Sequence, residues 1–152
     1  MTQNRQTVER YMTGFNTGDH DVTAACLTDD AEWVLPGGFH LVGRDAFRAE
    51  AEKVGPGSVT VTVSRFVEAE DVVVAEGTVR SAADAGATVN LAFCDVFELR
   101  EGRIRRLTSY VVPLTERRPG AAAAPAVHDP ERRASDLPGA GAAGRVAPSD
   151  LR

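Results

Sequence analysis

Three observations predict an α+β fold, with helices on one face of a curved, mainly antiparallel sheet. Helical periodicity is confined to residues 8–54. From Ser58 to Val112 the apolar residues alternate with period two. Short polar turns join these alternating runs, as hairpins require. Helices followed by consecutive strands favour α+β over a parallel sheet with crossover helices.

Taken in order, Val8, Tyr11, Met12 and Phe15 lie on one face of a first helix. Asn16-Thr17-Gly18-Asp19 ends it, and Asp19 or Asp21 caps a second short helix carrying Val22, Ala25 and Cys26. Glu32-Trp33-Val34-Leu35 reads as a short strand stopped by Pro36-Gly37-Gly38. A third helix begins near Arg44-Asp45, shows Phe47, Ala51 and Val54 on one face, and breaks at Gly55-Pro56-Gly57. Four strands are expected after it: Ser58–Val67, Val72–Ser81, Thr88–Arg100 and Arg103–Val112. The turns between them are Glu70-Asp71, Asp84-Ala85-Gly86 and Glu101-Gly102.

Composition sets the domain boundary. Half of residues 113–152 are Ala, Pro or Gly, and six of the eight prolines lie there. Such a segment buries too little apolar surface to offset its ordering entropy, so residues 1–112 are read as the domain and 113–152 as a mobile tail. Gly139, Gly141 and Gly144 match a dinucleotide-binding pattern, but no apolar strand precedes them, so the match is read as chance. The chain of 152 residues carries a net charge of −5, which argues against a nucleic-acid partner. There is no apolar run long enough for a membrane span and no apolar signal core, so a cytoplasmic protein is expected. Cys26 and Cys94 are then reduced thiols. No metal-ligand spacing, nucleophile elbow or P-loop occurs, and neither metal nor cofactor is expected.

The third long strand holds the residue most out of place. Its one face reads Val89, Leu91, Phe93, Asp95, Phe97 and Leu99, so Asp95 interrupts an apolar row. A buried carboxylate costs several kcal/mol unless it is paired. Relief comes from a hydrogen-bond partner or from a raised pKa that keeps the carboxyl neutral. A carboxyl of that second kind suits proton transfer. Tyr11, inward on the first helix, is its natural companion as a hydroxyl donor, or else a core aromatic. Glu76 is a second acid within an apolar strand and points either to the same pocket or to solvent. His40, in the segment Gly37–Leu41, is a general base at a pocket mouth or a solvated loop histidine. His20 and His128 have polar neighbours. Trp33 shares a face with Leu35 and reads as a pocket wall.

Four segments together resemble a known group. They are Tyr11–Asp19, Leu27–Trp33, Gly43-Arg44-Asp45-Ala46 and Asp95–Ile104, which occur in order across residues 5–112. The chain resembles the nuclear transport factor 2-like superfamily, in particular its SnoaL-like and ketosteroid-isomerase-like small bacterial proteins. The resemblance implies a cone-shaped fold in which three N-terminal helices and the curved sheet enclose a deep apolar pocket. It also implies a homodimer through the outer sheet face. In ketosteroid isomerases a tyrosine and a protonated aspartic acid form an oxyanion hole, and Tyr11 and Asp95 fall on those positions. The general-base aspartate of that family precedes a proline; here that position is Leu35, before Pro36. SnoaL-like cyclases use a pocket aspartate as acid/base, a role for which Asp95 is the candidate.

The resulting expectation is a cofactor-free isomerase- or cyclase-type enzyme acting on a small hydrophobic, oxygen-bearing molecule such as a polyketide or terpenoid. Asp95, Tyr11, Glu76 and His40 are its candidate catalytic groups. Phe15, Trp33, Leu35 and Phe47 are expected to contact substrate, as are Phe93, Phe97, Leu107 and Ser109. Two alternatives stand beside it. One is a non-catalytic ligand-binding module of the same fold. The other is an epoxide-opening hydrolase, which needs two acids and an arginine, with Arg65 and Arg80 as the strand arginines.

Overall fold

The stripe through Val8, Tyr11, Met12 and Phe15 forms as helix α1 (Gln3–Thr17) in the computed structural model, which describes residues 1–82 and 88–115. Thr2 caps its start by accepting from the Arg5 N–H, and Gly18 ends it in the left-handed conformation at φ 71°. Helix α2 (His20–Ala25) starts on Asp19, whose carboxylate accepts from the Val22 N–H; of the two caps the sequence allowed, this one is used. Strands β1 (Leu27–Leu35) and β2 (Phe39–Val42) form a hairpin before helix α3 (Arg44–Glu52). The long strands β3 (Val59–Ala69), β4 (Val72–Ala82), β5 (Thr88–Arg100) and β6 (Arg103–Pro113) follow.

Apart from shifts of one or two residues at the ends of β3 and β4, these elements differ from the sequence expectation as follows. The third helix follows a two-stranded hairpin where the sequence reading placed a single short strand before it. Strand β1 begins at Leu27, not Glu32: Thr28-Asp29-Asp30 looks like a turn, yet Leu27 aligns with Ile104 and the register shifts before Glu32. His40 belongs to β2, an edge strand of four residues in which alternation is too short to read. Strand β6 runs to Pro113, one residue past the expected boundary. The 84–86 turn, His128 and Gly139, Gly141 and Gly144 lie outside the described residues, as does the tail from 116 onward.

The sheet has the order β2-β1-β6-β5-β4-β3, with β1 and β6 parallel and every other pair antiparallel. It is curved and does not close. Register shifts at Val63/Arg65 in β3 and Glu98/Leu99 in β5 supply bends. Gly77 supplies close approach: a Cβ there would stand 1.9 Å from the Thr62 carbonyl oxygen, so only glycine fits between β3 and β4.

The helices cover the concave face. Phe47, Val73, Phe97 and Ile104 are fully buried in the core. Helix α1 is pinned at both ends. Thr7 donates to the Gly102 carbonyl at 2.7 Å, while the Asn16 amide donates to the Val61 carbonyl and accepts from the Val61 N–H, both at 2.8 Å. That double bond satisfies backbone groups on the sheet's edge strand, β3, and gives Asn16 of the Tyr11–Asp19 segment a structural role. No helix among the described residues is long and apolar enough to cross a membrane.

Candidate active site

Strand register sets the depth of every side chain on the concave face. Asp95 stands level with Ala75 on β4 and Ser109 on β6. Two residues toward the open end, Phe93 is level with Gly77 and Val111; two further, Leu91 is level with Val79. At a rise of about 3.4 Å per residue, this wall extends about 14 Å from Asp95 to Leu91. In the other direction Phe97, level with Val73 and Leu107, is fully buried and forms the floor. Between the wall and α1 and α3 lies a cavity of about 290 Å³, lined by Tyr11, Phe15, Trp33, Asp95 and Ser109 among others.

Asp95 is the polar group at depth. Its burial among apolar side chains disfavours the charged form and pushes its pKa up to about 7, and a hydrogen bond from Ser109 pulls the other way. The Ser109 hydroxyl in turn accepts from the Trp33 indole N–H at 3.1 Å. Trp33 thus holds the Ser109 hydroxyl at the level of Asp95, directly across the β5–β6 ladder from its carboxyl. Both reliefs the sequence offered for a buried aspartate operate here, and the desolvation dominates.

Tyr11 completes the constellation. Its ring packs edge-on against Phe47 and Phe97, with centroids 6.1 and 5.4 Å away, which fixes its position on the cavity wall. Burial first, then the nearby Asp95 charge, then Cys26, raise the Tyr11 pKa well above its ordinary value. The phenol accordingly keeps its proton and remains a hydrogen-bond donor.

Two candidate catalytic residues fall elsewhere. Glu76 aligns with Cys94 on β5 and forms an ion pair with Arg65 at 2.7 Å, on the face opposite the cavity. Its neighbour Ala75 is the one that points inward beside Asp95, and strand parity puts Glu76 outside. His40 bonds Glu32 at 2.7 Å with a side chain 54% exposed, again on the outer face, because it aligns with Val34 rather than with inward Trp33. Phe47 and Phe97 do not line the cavity; they are fully buried beneath it, and Phe47 stacks on Trp33 at 4.8 Å. The other expected contacts, Phe15, Trp33, Leu35, Phe93, Leu107 and Ser109, line it.

Sequence reasoning passed over Phe39 and Glu50, which also line the cavity. Phe39 meets Trp33 edge-on at 5.2 Å. Glu50 lies on the same face of α3 as Phe47, a spacing that was available in the sequence but was read only for its apolar members. Neither Arg65 nor Arg80 lines the cavity. No group of three or more His, Cys, Asp or Glu side chains among the described residues is placed to hold a metal ion.

Comparison with known proteins supplies a family. The model of the SnoaL-like domain matches residues 8–107. Similar solved structures include an NTF2-like protein of unknown function from Cytophaga hutchinsonii, 24% identical with a TM-score of 0.61 over 70% of this chain and 97% of that one. An LEH-like epoxide hydrolase from M. tuberculosis is 23% identical with a TM-score of 0.65, over 72% of this chain and 83% of that one. TerC, co-crystallised with polyporic acid, is 24% identical with a TM-score of 0.65, over 71% and 90%. These likenesses show the cone-shaped fold. No curated protein matches the chain in sequence.

Proposed function

The chain belongs to the SnoaL-like domain family, and from that premise we propose that it is a cofactor-free acid/base enzyme of the isomerase or cyclase type. Its substrate is a small hydrophobic molecule bearing oxygen, such as a polyketide or terpenoid. The observation that carries this reading is the placement of the Asp95 carboxyl at the depth of an apolar cavity beside Tyr11, where burial pushes its pKa up to about 7. Near neutral pH both of its protonation states are populated, which is the condition for taking a proton in one step and returning it in the next.

In the proposed sequence a substrate carbonyl oxygen accepts from the Tyr11 hydroxyl. The Asp95 carboxylate removes a proton from the adjacent carbon, and the C–H electron pair moves to give an enolate whose oxygen Tyr11 stabilises. Neutral Asp95 then returns the proton. Delivery to a different carbon is an isomerisation; attack of the enolate carbon on a second carbonyl, with Asp95 protonating the new alkoxide, is a cyclisation. Ser109 holds the carboxylate in position throughout.

A binding module without catalysis is the second reading, favoured by Leu35 at the position of the isomerase base and by the outward Glu76. An epoxide-opening hydrolase receives less support, because neither strand arginine reaches the cavity. The proposed setting is the cytoplasm, consistent with the unpaired Cys26 and Cys94. Two copies are proposed to pair through the outer sheet face, where Tyr110 and Val112 are 51% and 61% exposed. A sedimentation mass of one chain overturns that pairing.

Deuterium uptake separates the first two readings. In D2O the protein is expected to catalyse exchange at the carbon next to the carbonyl of small apolar ketones. Asp95→Asn should abolish exchange while remaining folded, and Tyr11→Phe should slow it about 100-fold. Tight ketone binding with no exchange supports the binding module.

A further inference from the structure

Among the described residues, Glu50 is the one Asp, Glu, Lys or Arg besides Asp95 on the cavity wall. It sits on the inward face of α3 with Phe47 and Ala51, which are 0% and 2% exposed, so packing alone calls for an apolar residue there. Its place along the cavity follows from its neighbours. Phe47 stacks on Trp33, which bonds Ser109 at the level of Asp95. From Glu50 the chain continues through Val54 to Val59, the first residue of β3, beyond the level of Val61, Val79 and Leu91. Val54 and Val59 also line the cavity, so Glu50 stands on the side of the open end.

The Glu50 carboxylate is not committed to another task. Its partner Lys53, at 2.5 Å, is 71% exposed, whereas the Glu50 side chain is 27% exposed. An exposed ion pair three residues apart on one helix contributes little and exchanges readily. A carboxylate offers about four lone-pair sites, of which Lys53 occupies one. Because Glu50 lines the mainly apolar cavity, its remaining acceptor positions are open to a donor on a bound ligand.

We infer that Glu50 is a specificity-determining residue that accepts a hydrogen bond from a hydroxyl at the far end of the ligand. The substrate class is thereby narrowed to apolar molecules with two polar ends: an oxygen acceptor that meets Tyr11 and Asp95 at depth, and a hydroxyl at the mouth. This inference rests on the proposed reading of the same cavity as a substrate site.

Two probes of equal apolar length test it, decan-2-one and its terminally hydroxylated analogue, 10-hydroxydecan-2-one. Trp33 is the chain's single tryptophan and lines the cavity, so its fluorescence reports occupancy directly. Wild-type protein should bind the hydroxyketone at least about fivefold more tightly than the ketone. Glu50→Leu should bring that ratio to about one, and Glu50→Gln should keep part of it, since the amide still accepts. An unchanged ratio in Glu50→Leu, or no preference in the wild type, overturns the inference while leaving the acid/base reading intact. Preference for the hydroxyketone without deuterium exchange does the reverse. Failure of both probes to alter Trp33 emission contradicts both.

Discussion

Asp95 and Ser109 face each other across the β5–β6 ladder, and the serine hydroxyl is held by the Trp33 indole. Ser109 opposes the desolvation that raises the Asp95 pKa, since its bond favours the charged form. Ser109→Ala should therefore push the Asp95 pKa further above about 7 and shift the midpoint of the pH–rate profile for deuterium exchange upward. A midpoint that falls or stays in place contradicts this role of Ser109.

The same carboxyl makes stability depend on pH. Its folded pKa of about 7 lies above the ordinary 3.8, so between these values the native state holds a proton that the unfolded chain has released. This site's contribution is complete below pH 4, declines as pH rises, and is gone above pH 7. A shift of roughly three pH units corresponds to about 4 kcal/mol. Asp95→Asn should remove that decline, so the variant gains on the wild type as pH rises from 4 to 8 in urea titrations. Parallel stability curves for the two proteins would exclude a desolvated carboxyl.

Phe47 and Phe39 lie on opposite sides of Trp33's role as a wall: one packs beneath it, the other faces the cavity. Phe47→Ala should cost about 3–5 kcal/mol, the range for emptying a fully buried aromatic site. Phe39→Ala should leave thermal stability nearly unchanged and weaken ketone binding instead. Equal losses of stability would contradict the assignment of these two rings.

Glu76→Gln is expected to be nearly silent. The Glu76–Arg65 pair is on the outer face with side chains 41% and 64% exposed, and such pairs contribute at most about 1 kcal/mol. Exchange activity should match wild type. A large loss of activity would return Glu76 to the catalytic group.

Much of the frame was legible because single segments encode it. The Val8–Phe15 stripe, the Asp19 cap and the Glu101-Gly102 turn each depend on residues adjacent in sequence, and all formed as read. The alternation in β5 was enough to mark Asp95 as an acid on the apolar face. What could not be read depends on pairing between strands. Whether Glu76 joins Asp95 is decided by the alignment of Ala75 with Asp95, and no local pattern in β4 carries that register. His40 was misplaced because β2 is strand only through its hairpin with β1. Glu50 was passed over for a different reason: a periodic apolar face was counted by its hydrophobic members, and the charged one on the same face was discounted.

The most direct measurement is the pKa of Asp95 itself, from the pH dependence of its side-chain carboxyl carbon in an NMR titration of labelled protein. A midpoint near 7 is the result this account predicts, and it makes Asp95 a pocket acid able to give and take a proton at neutral pH. A midpoint at or below about 4 would show a solvated or fully paired carboxylate and contradict the acid/base reading of the cavity.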